Sequence, residues 1–151
     1  MEPVDLNATI ADVVGDLRAL VQEADADIYV AKLPVVLGDA MQLRVLFQNL
    51  IENAIKFRNH KDSVKVRIVA IQEPDVKKCK ITVSDNGIGI EPVHHEKIFT
   101  IFKRLNAEQA FEGSGLGLAI CRRIAANHGG KITVTSEPYK GSSFSIGLDC
   151  T

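Results

Sequence analysis

Apolar residues recur at intervals of three and four through residues 6–23, at Ile10, Val13, Val14, Leu17, Leu20 and Val21. That spacing predicts one amphipathic helix. A short strand is expected near Ile28–Val30, and a further extended piece up to Leu37. Asp39 and Gln42 stand three apart as a capping-box pair, so a second helix starts there and runs to about Phe57, ahead of the polar loop "RNHKDS". "VKVRIVAI" (64–71) and "KCKITVSD" (78–85) alternate as strands, joined by the turn-rich "QEPDVKK". Residues 87–113 carry little regular pattern beyond a short helical stretch at Glu96–Leu105. Leu116–Asn127 is again strongly amphipathic and is stopped by Gly129 and Gly130. "KITVTSE" and "SSFSIGL" then close the chain as a hairpin around "PYKG". This order predicts a single α+β domain over residues 1–151, a two-layer sandwich of one mixed sheet with its helices on one face.

Composition narrows the classes of function. A chain of 151 residues with 46% hydrophobic and 25% charged residues is an ordinary globular domain, long enough for one sizeable core. A net charge of −1 gives no broad electrostatic case for nucleic acid or an anionic membrane. No apolar run approaches the roughly 18 residues of a membrane span, and no basic-then-apolar signal opens the chain. Cys79, Cys121 and Cys150 lack metal-ligand spacing and read as buried or free thiols of a reducing cytoplasm.

Three clusters carry candidate chemistry. In "LFQNLIENAIKF" the amides Asn49 and Asn53 lie about 40° apart on a helical wheel, with Lys56 about 20° to the other side. Asn is roughly 0.6 kcal/mol worse than Ala inside a helix, so two on one face need a reason. Either the amides cap a neighbouring loop and the lysine is solvated, or an amide oxygen meets a hard cation beside a lysine for phosphate. "DNGIGI" (85–90) follows a strand. It is an Asn-Gly turn, or it is a carboxylate, Asp85, aimed at an exocyclic amine between apolar walls, with Gly87 and Gly89 allowing close approach. "GSGLGLAI" (113–120) sets three glycines at alternate positions before a helix. That is a hinge or a phosphate site at a helix N-terminus. The two dozen residues between the glycine clusters have the length of a lid, and Lys97, Lys103 and Arg104 in it either close over a polyphosphate or form a solvated basic face.

Taken in order, these segments resemble the catalytic ATP-binding domain of sensor histidine kinases. That domain belongs to the superfamily shared with DNA gyrase, the ninety-kilodalton heat-shock chaperone and the MutL ATPases, with its Bergerat-type fold. "NLIENAIKF" is similar to the asparagine box, "DNGIGI" to the first glycine box, "IFTIFKRL" to the phenylalanine box and "GSGLGLAI" to the second glycine box. "HGGKITVTSEPYKGSSFSI" resembles the closing segment. The resemblance covers essentially the whole chain and implies ATP and Mg²⁺ as cofactors. It implies that Asn53 gives its oxygen to Mg²⁺, that Lys56 contacts phosphate and that Asn49 sits beside the metal and its waters. Asp85 would recognise the adenine amine, helped by Gly87 and Gly89. Phe99 and Phe102 would anchor the lid, and Arg104 would reach for the phosphates. Gly113, Gly115 and Gly117 would open backbone amides at Leu116 and nearby to the phosphate chain. Ser143 would supply a hydroxyl near the adenine end, where the family often has Thr.

In superfamily members that hydrolyse ATP, the residue four before the metal-binding Asn is commonly a Glu that activates water. Here it is the amide of Asn49, which cannot act as that base. The resemblance therefore implies phosphoryl transfer to a histidine, with Asn49, Lys56 and Arg104 as the catalytic set. None of His60, His94, His95 and His128 has the context of a phosphoacceptor. The acceptor is expected on a helical-hairpin partner domain of the same parent kinase, with a response regulator downstream. The chain is accordingly expected to be a monomeric, cytoplasmic fragment, inactive without its partner, whose parent is membrane-anchored or not. Two other readings stay open: a nucleotide-binding module without transfer activity, and a protein-serine kinase resembling the anti-sigma factors.

Overall fold

The computed structural model describes residues 1–57, 63–73, 75–88, 117–137 and 140–151. A short strand, β1 (Glu2–Asp5), leads directly into α1 (Leu6–Asp16), because Asp5 caps that helix by accepting from the amides of Asn7 and Ala8. The expected single helix is broken at Leu17, and α2 (Arg18–Ala24) carries the same stripe onward. Asp25 ends α2 in the left-handed region. The extended pieces are β2 (Asp27–Val30) and β3 (Val35–Gly38). Next come α3 (Ala40–Lys56), β4 (Lys65–Gln72), β5 (Lys78–Asp85), α4 (Gly117–Asn127), β6 (Ile132–Glu137) and β7 (Gly141–Asp149).

Five strands form one sheet in the order β2-β4-β5-β7-β6, with β2 parallel to β4 and the other pairs antiparallel. β1 and β3 pair separately as a two-stranded ribbon. Alternation decides the two faces of the main sheet. Val66, Ile68, Cys79, Ile81, Val83, Phe144, Ile146 and Leu148 turn inward, and all are buried. They meet α3, whose Leu43, Leu46, Phe47, Leu50, Ile51, Ala54 and Ile55 are buried in the same core. At about 1.5–3 kcal/mol for each large aliphatic or aromatic side chain removed from water, this interface dominates the stability of the fold. The opposite face is polar, with hydroxyl pairs Thr82–Ser145 and Ser84–Ser143 at 2.9 Å and the Arg67 guanidinium 5.4 Å above the Tyr29 ring.

The capping box at α3 is half as expected. Asp39 Oδ1 accepts from the Gln42 amide at 3.0 Å. The reciprocal bond does not come from Gln42, which instead accepts from Asn127 Nδ2. It comes from His128, whose Nε2 accepts the Asp39 N–H at 3.1 Å. Nε2 is then the unprotonated nitrogen, so Nδ1 carries the hydrogen that goes to the Ile124 carbonyl at 2.8 Å. His128 is buried at the end of α4, and Gly129 and Gly130 follow with their amides bonded back to Ala126 and Ala125. One imidazole thus fastens the start of α3 to the end of α4. Replacing His128 by Leu removes the part-buried bond to the Asp39 N–H and should cost about 1 kcal/mol in urea unfolding; no measurable loss would contradict this role.

All three cysteines are buried and free. Burial pushes the Cys121 thiol up to about 12 and the Cys79 thiol up to about 11, which makes both poor nucleophiles at neutral pH. Among the described residues no helix is long and apolar enough to cross a membrane.

Candidate functional site

The polar stripe of α3 lies beside the start of α4. Asn49 donates its Nδ2 hydrogen to the Val45 carbonyl at 2.8 Å, which turns Oδ1 toward Gly117. A Cβ on Gly117 would sit 2.6 Å from that oxygen, so a side chain there would have to displace the Asn49 amide. Asn53 is half-buried one turn further along, and its amide has no hydrogen-bond partner among the described residues. Lys56 meets Glu52 at 2.6 Å, both of them about one-quarter exposed. Glu52 lies about 40° from Lys56 on the wheel and so edges the same stripe. Nothing in the sequence marks it, because a single Glu in a helix looks like an ordinary surface residue.

The second part of the site hangs on the end of β5. Asp85 Oδ1 accepts from the Gly87 amide at 2.8 Å and the Ser142 amide at 3.3 Å. Burial pushes this carboxyl up to about 6, and the two amide donors only partly offset it. Its second oxygen has no hydrogen-bond partner among the described residues. The turn is held to α3 because the Ile88 amide donates to the Phe57 carbonyl at 3.1 Å. A Cβ on Gly87 would come within 2.5 Å of that same carbonyl. Asn86 pins the other side, accepting from the Lys65 amide and donating to the Ser63 carbonyl. The carboxylate at the strand end and the amide stripe of α3 are therefore joined through Phe57, the residue after Lys56.

One expected contact is corrected. Ser143 is registered against Ser84 and bonds it on the outer face of the sheet. The serine opposite Asp85 is Ser142, which is buried. A displacement of one residue along a strand reverses the side of the sheet, so the hydroxyl next to Asp85 belongs to Ser142. Gly89, Phe99, Phe102, Arg104, Gly113, Gly115 and Leu116 lie outside the described residues, as does the short helix expected at 96–105.

The donor set fits the groups that the resemblance implies. Mg²⁺ keeps most of its waters and takes only one or two protein oxygens beside phosphate. One half-buried amide oxygen at Asn53 suits that better than a carboxylate cage, and among the described residues there is no cluster of three metal-binding side chains. The uncommitted oxygen of Asp85 suits an amine.

Residues 38–151 match the profile of the histidine kinase-, DNA gyrase B-, and HSP90-like ATPases. The chain belongs to that family. Its arrangement of sheet and helices is the Bergerat fold of histidine kinase catalytic domains. Among curated proteins, this ATPase domain is 40% identical over 140 residues to the phytochrome-like protein Cph1 of Synechocystis sp.. That match takes in 93% of this chain and 18% of Cph1, so the chain spans less than a fifth of the relative's length. Full-length ShkA in complex with AMPPNP superposes with a TM-score of 0.83 at 28% identity, over 99% of this chain and 31% of that one. The histidine kinase ThkA, in a complex with the response regulator TrrA, superposes with a TM-score of 0.78 at 25% identity, over 99% of this chain and 42% of that one. The domain is thus a catalytic ATPase domain of the histidine kinase type, with relatives among two-component kinases.

Proposed function

We propose that this domain binds Mg²⁺–ATP and directs the γ-phosphoryl group to a histidine on a separate helical-hairpin domain of its parent kinase. In that reading Asp85 accepts from the adenine amine, Asn53 offers its oxygen to the metal, and Lys56 exchanges Glu52 for a phosphate oxygen. Arg104 and the glycines Gly113 and Gly115 close the phosphate end, by resemblance. When bound, Mg²⁺ would neutralise charge on the phosphates. Asn49 completes the stripe as an amide and takes no proton from water. By the resemblance, the acceptor is an imidazole nitrogen in line with the bond that breaks to the β-phosphate oxygen. Positioning supplies most of the rate. By likeness to the ThkA–TrrA pair, the phosphoryl group then passes to a response regulator. The observation that carries the reading is the half-buried Asp85, with one oxygen open among the described residues, joined through Phe57 to the amide face of α3.

The test is calorimetric titration with AMPPNP, with and without Mg²⁺, followed by radiolabelling with ATP when the helical-hairpin domain is added. Saturable one-to-one binding strengthened by Mg²⁺, and label appearing only on the added histidine, are expected. Asn53→Ala should remove the Mg²⁺-dependent gain, roughly tenfold in affinity, the size of one hydrogen bond to a charged group. Binding that ignores Mg²⁺ in the unmodified protein would end the role given to Asn53. Binding without transfer would leave a nucleotide-binding module.

A further inference from the structure

Two buried serines stand beside Asp85, and only one of them faces it. Ser142 lies opposite Asp85 in the β5–β7 ladder, and Ser136 lies opposite Ser142 in the β6–β7 ladder. Directly opposite residues of antiparallel strands share a face, so all three side chains are on the inner side of the sheet. Ser136 Oγ is 2.9 Å from the Gly141 carbonyl and 2.8 Å from Ser142 Oγ. A carbonyl only accepts, and a hydroxyl has one hydrogen. The Ser136 hydrogen therefore goes to Gly141, and the bond between the serines is donated by Ser142.

We infer that Ser136 is a positioning residue that holds the Ser142 hydroxyl as a hydrogen-bond acceptor toward the base, making the site selective for a 6-aminopurine over a 6-oxopurine. The inference rests on the nucleotide reading above and concerns how the base is chosen. Asp85 Oδ1 is already committed to two backbone amides. What remains facing the base is Asp85 Oδ2 and a lone pair of Ser142 Oγ, which are both acceptors. An exocyclic amine, or a water with two hydrogens to give, satisfies the pair. The ring N1–H of a 6-oxopurine reaches Asp85 as well, but its O6 then meets the Ser142 oxygen with no hydrogen between them. An unmet buried acceptor is costly. Without the Ser136 oxygen to receive it, the Ser142 hydrogen is released to turn toward O6, and the barrier to the wrong base falls.

The experiment compares ADP and inosine diphosphate by calorimetry on the 151-residue chain and on Ser136→Ala, Ser142→Ala and the double variant. The preference for ADP should fall about tenfold in Ser136→Ala, chiefly because inosine diphosphate binds more tightly. Damage to the site would weaken both ligands instead. In the Ser142→Ala background, Ser136→Ala should leave the preference where Ser142→Ala put it. With Ser142 intact, Ser136→Thr, which keeps a hydroxyl, should retain the preference of the unmodified chain. Should Ser136→Ala not fold, the near-isosteric Ser136→Cys carries the comparison, since a thiol is a weak partner at both contacts. An unmodified chain that binds no ADP sinks the nucleotide reading itself. A chain that binds ADP but whose preference does not move in Ser136→Ala, or moves equally with and without Ser142, overturns the role of Ser136 alone.

Discussion

Replacing Asp85 by Asn is expected to make the unliganded protein more stable at neutral pH while stripping it of its selection for adenine. Burial raises this carboxyl from its ordinary 3.8 to about 6. A carboxyl that holds its proton more tightly when folded stabilises the fold fully below its unfolded value, and that stability is lost as the pH rises through 6. The interval is worth roughly 3 kcal/mol if the group were wholly shielded, and about 2 kcal/mol after allowing for its partial exposure. At pH 7 the wild-type protein therefore carries a desolvated charge that the neutral Asn removes. Asn keeps an oxygen for the Gly87 and Ser142 amides, so the turn itself need not change. The difference in stability between variant and wild type should open between pH 4 and pH 6 and stay flat above pH 7. Urea unfolding at several pH values reads it directly. ADP affinity should fall about a hundredfold, because the amide nitrogen now points a donor at a donor. A variant less stable than wild type at pH 7 would mean that the carboxylate is compensated by groups other than those two amides.

The second large effect is expected at Gly141. Its φ is +100°, and a Cβ there would lie 2.0 Å from the Asp85 carbonyl oxygen and 2.9 Å from the Asn86 Cα. Both obstacles are backbone, in the strand end and turn that hold Asp85, so neither can swing aside. Gly141→Ala combines a disfavoured dihedral with an overlap and should cost about 4 kcal/mol, or roughly 10 °C in Tm for a protein of this size. Gly129, at φ +71° with open space where its Cβ would be, is the control, and alanine there should cost only about 1 kcal/mol. Equal losses at the two positions would show that dihedral strain alone decides the matter and that contact with the Asp85 turn contributes nothing.

Much of this architecture is legible in the chain because the signals are local. α3 announces itself by Asp39 at its cap and by a stripe running from Leu43 to Ile55, and β4, β5, β6 and β7 by alternation. What escaped reading depends on partners far away in sequence. β1 is four residues including a proline, and it is a strand only because Val35–Gly38 pairs with it. The break at Leu17 does not disturb the periodicity on either side of it, so the pattern alone could not reveal it. Gln42 has the right spacing for a capping box, yet an imidazole 89 residues beyond Asp39 takes the bond. The site divides in the same way. Asn49, Asn53, Lys56, Asp85 and Gly87 stand out because each violates a local expectation. Ser142 and Ser143 are identical neighbours, and only the register with Asp85 tells them apart.

The β1–β3 ribbon bears on how the family's signature relates to its architecture. The match to the family profile begins at residue 38, but the core does not. Val4, Leu6, Ile10, Val13 and Leu17 are buried in the same cluster as Leu43, Phe47 and Leu50, and Arg44 reaches back to Asp12 and Asp16 on α1. The residues that name the family are thus held up by residues that do not. A minimal version trimmed to the signature would keep every chemical group discussed above and lose the floor beneath the helix that presents Asn49 and Asn53. The first quarter of the chain, ahead of the family profile, is scaffolding for the active face, and drift there would be felt as misplaced amides rather than as a missing residue.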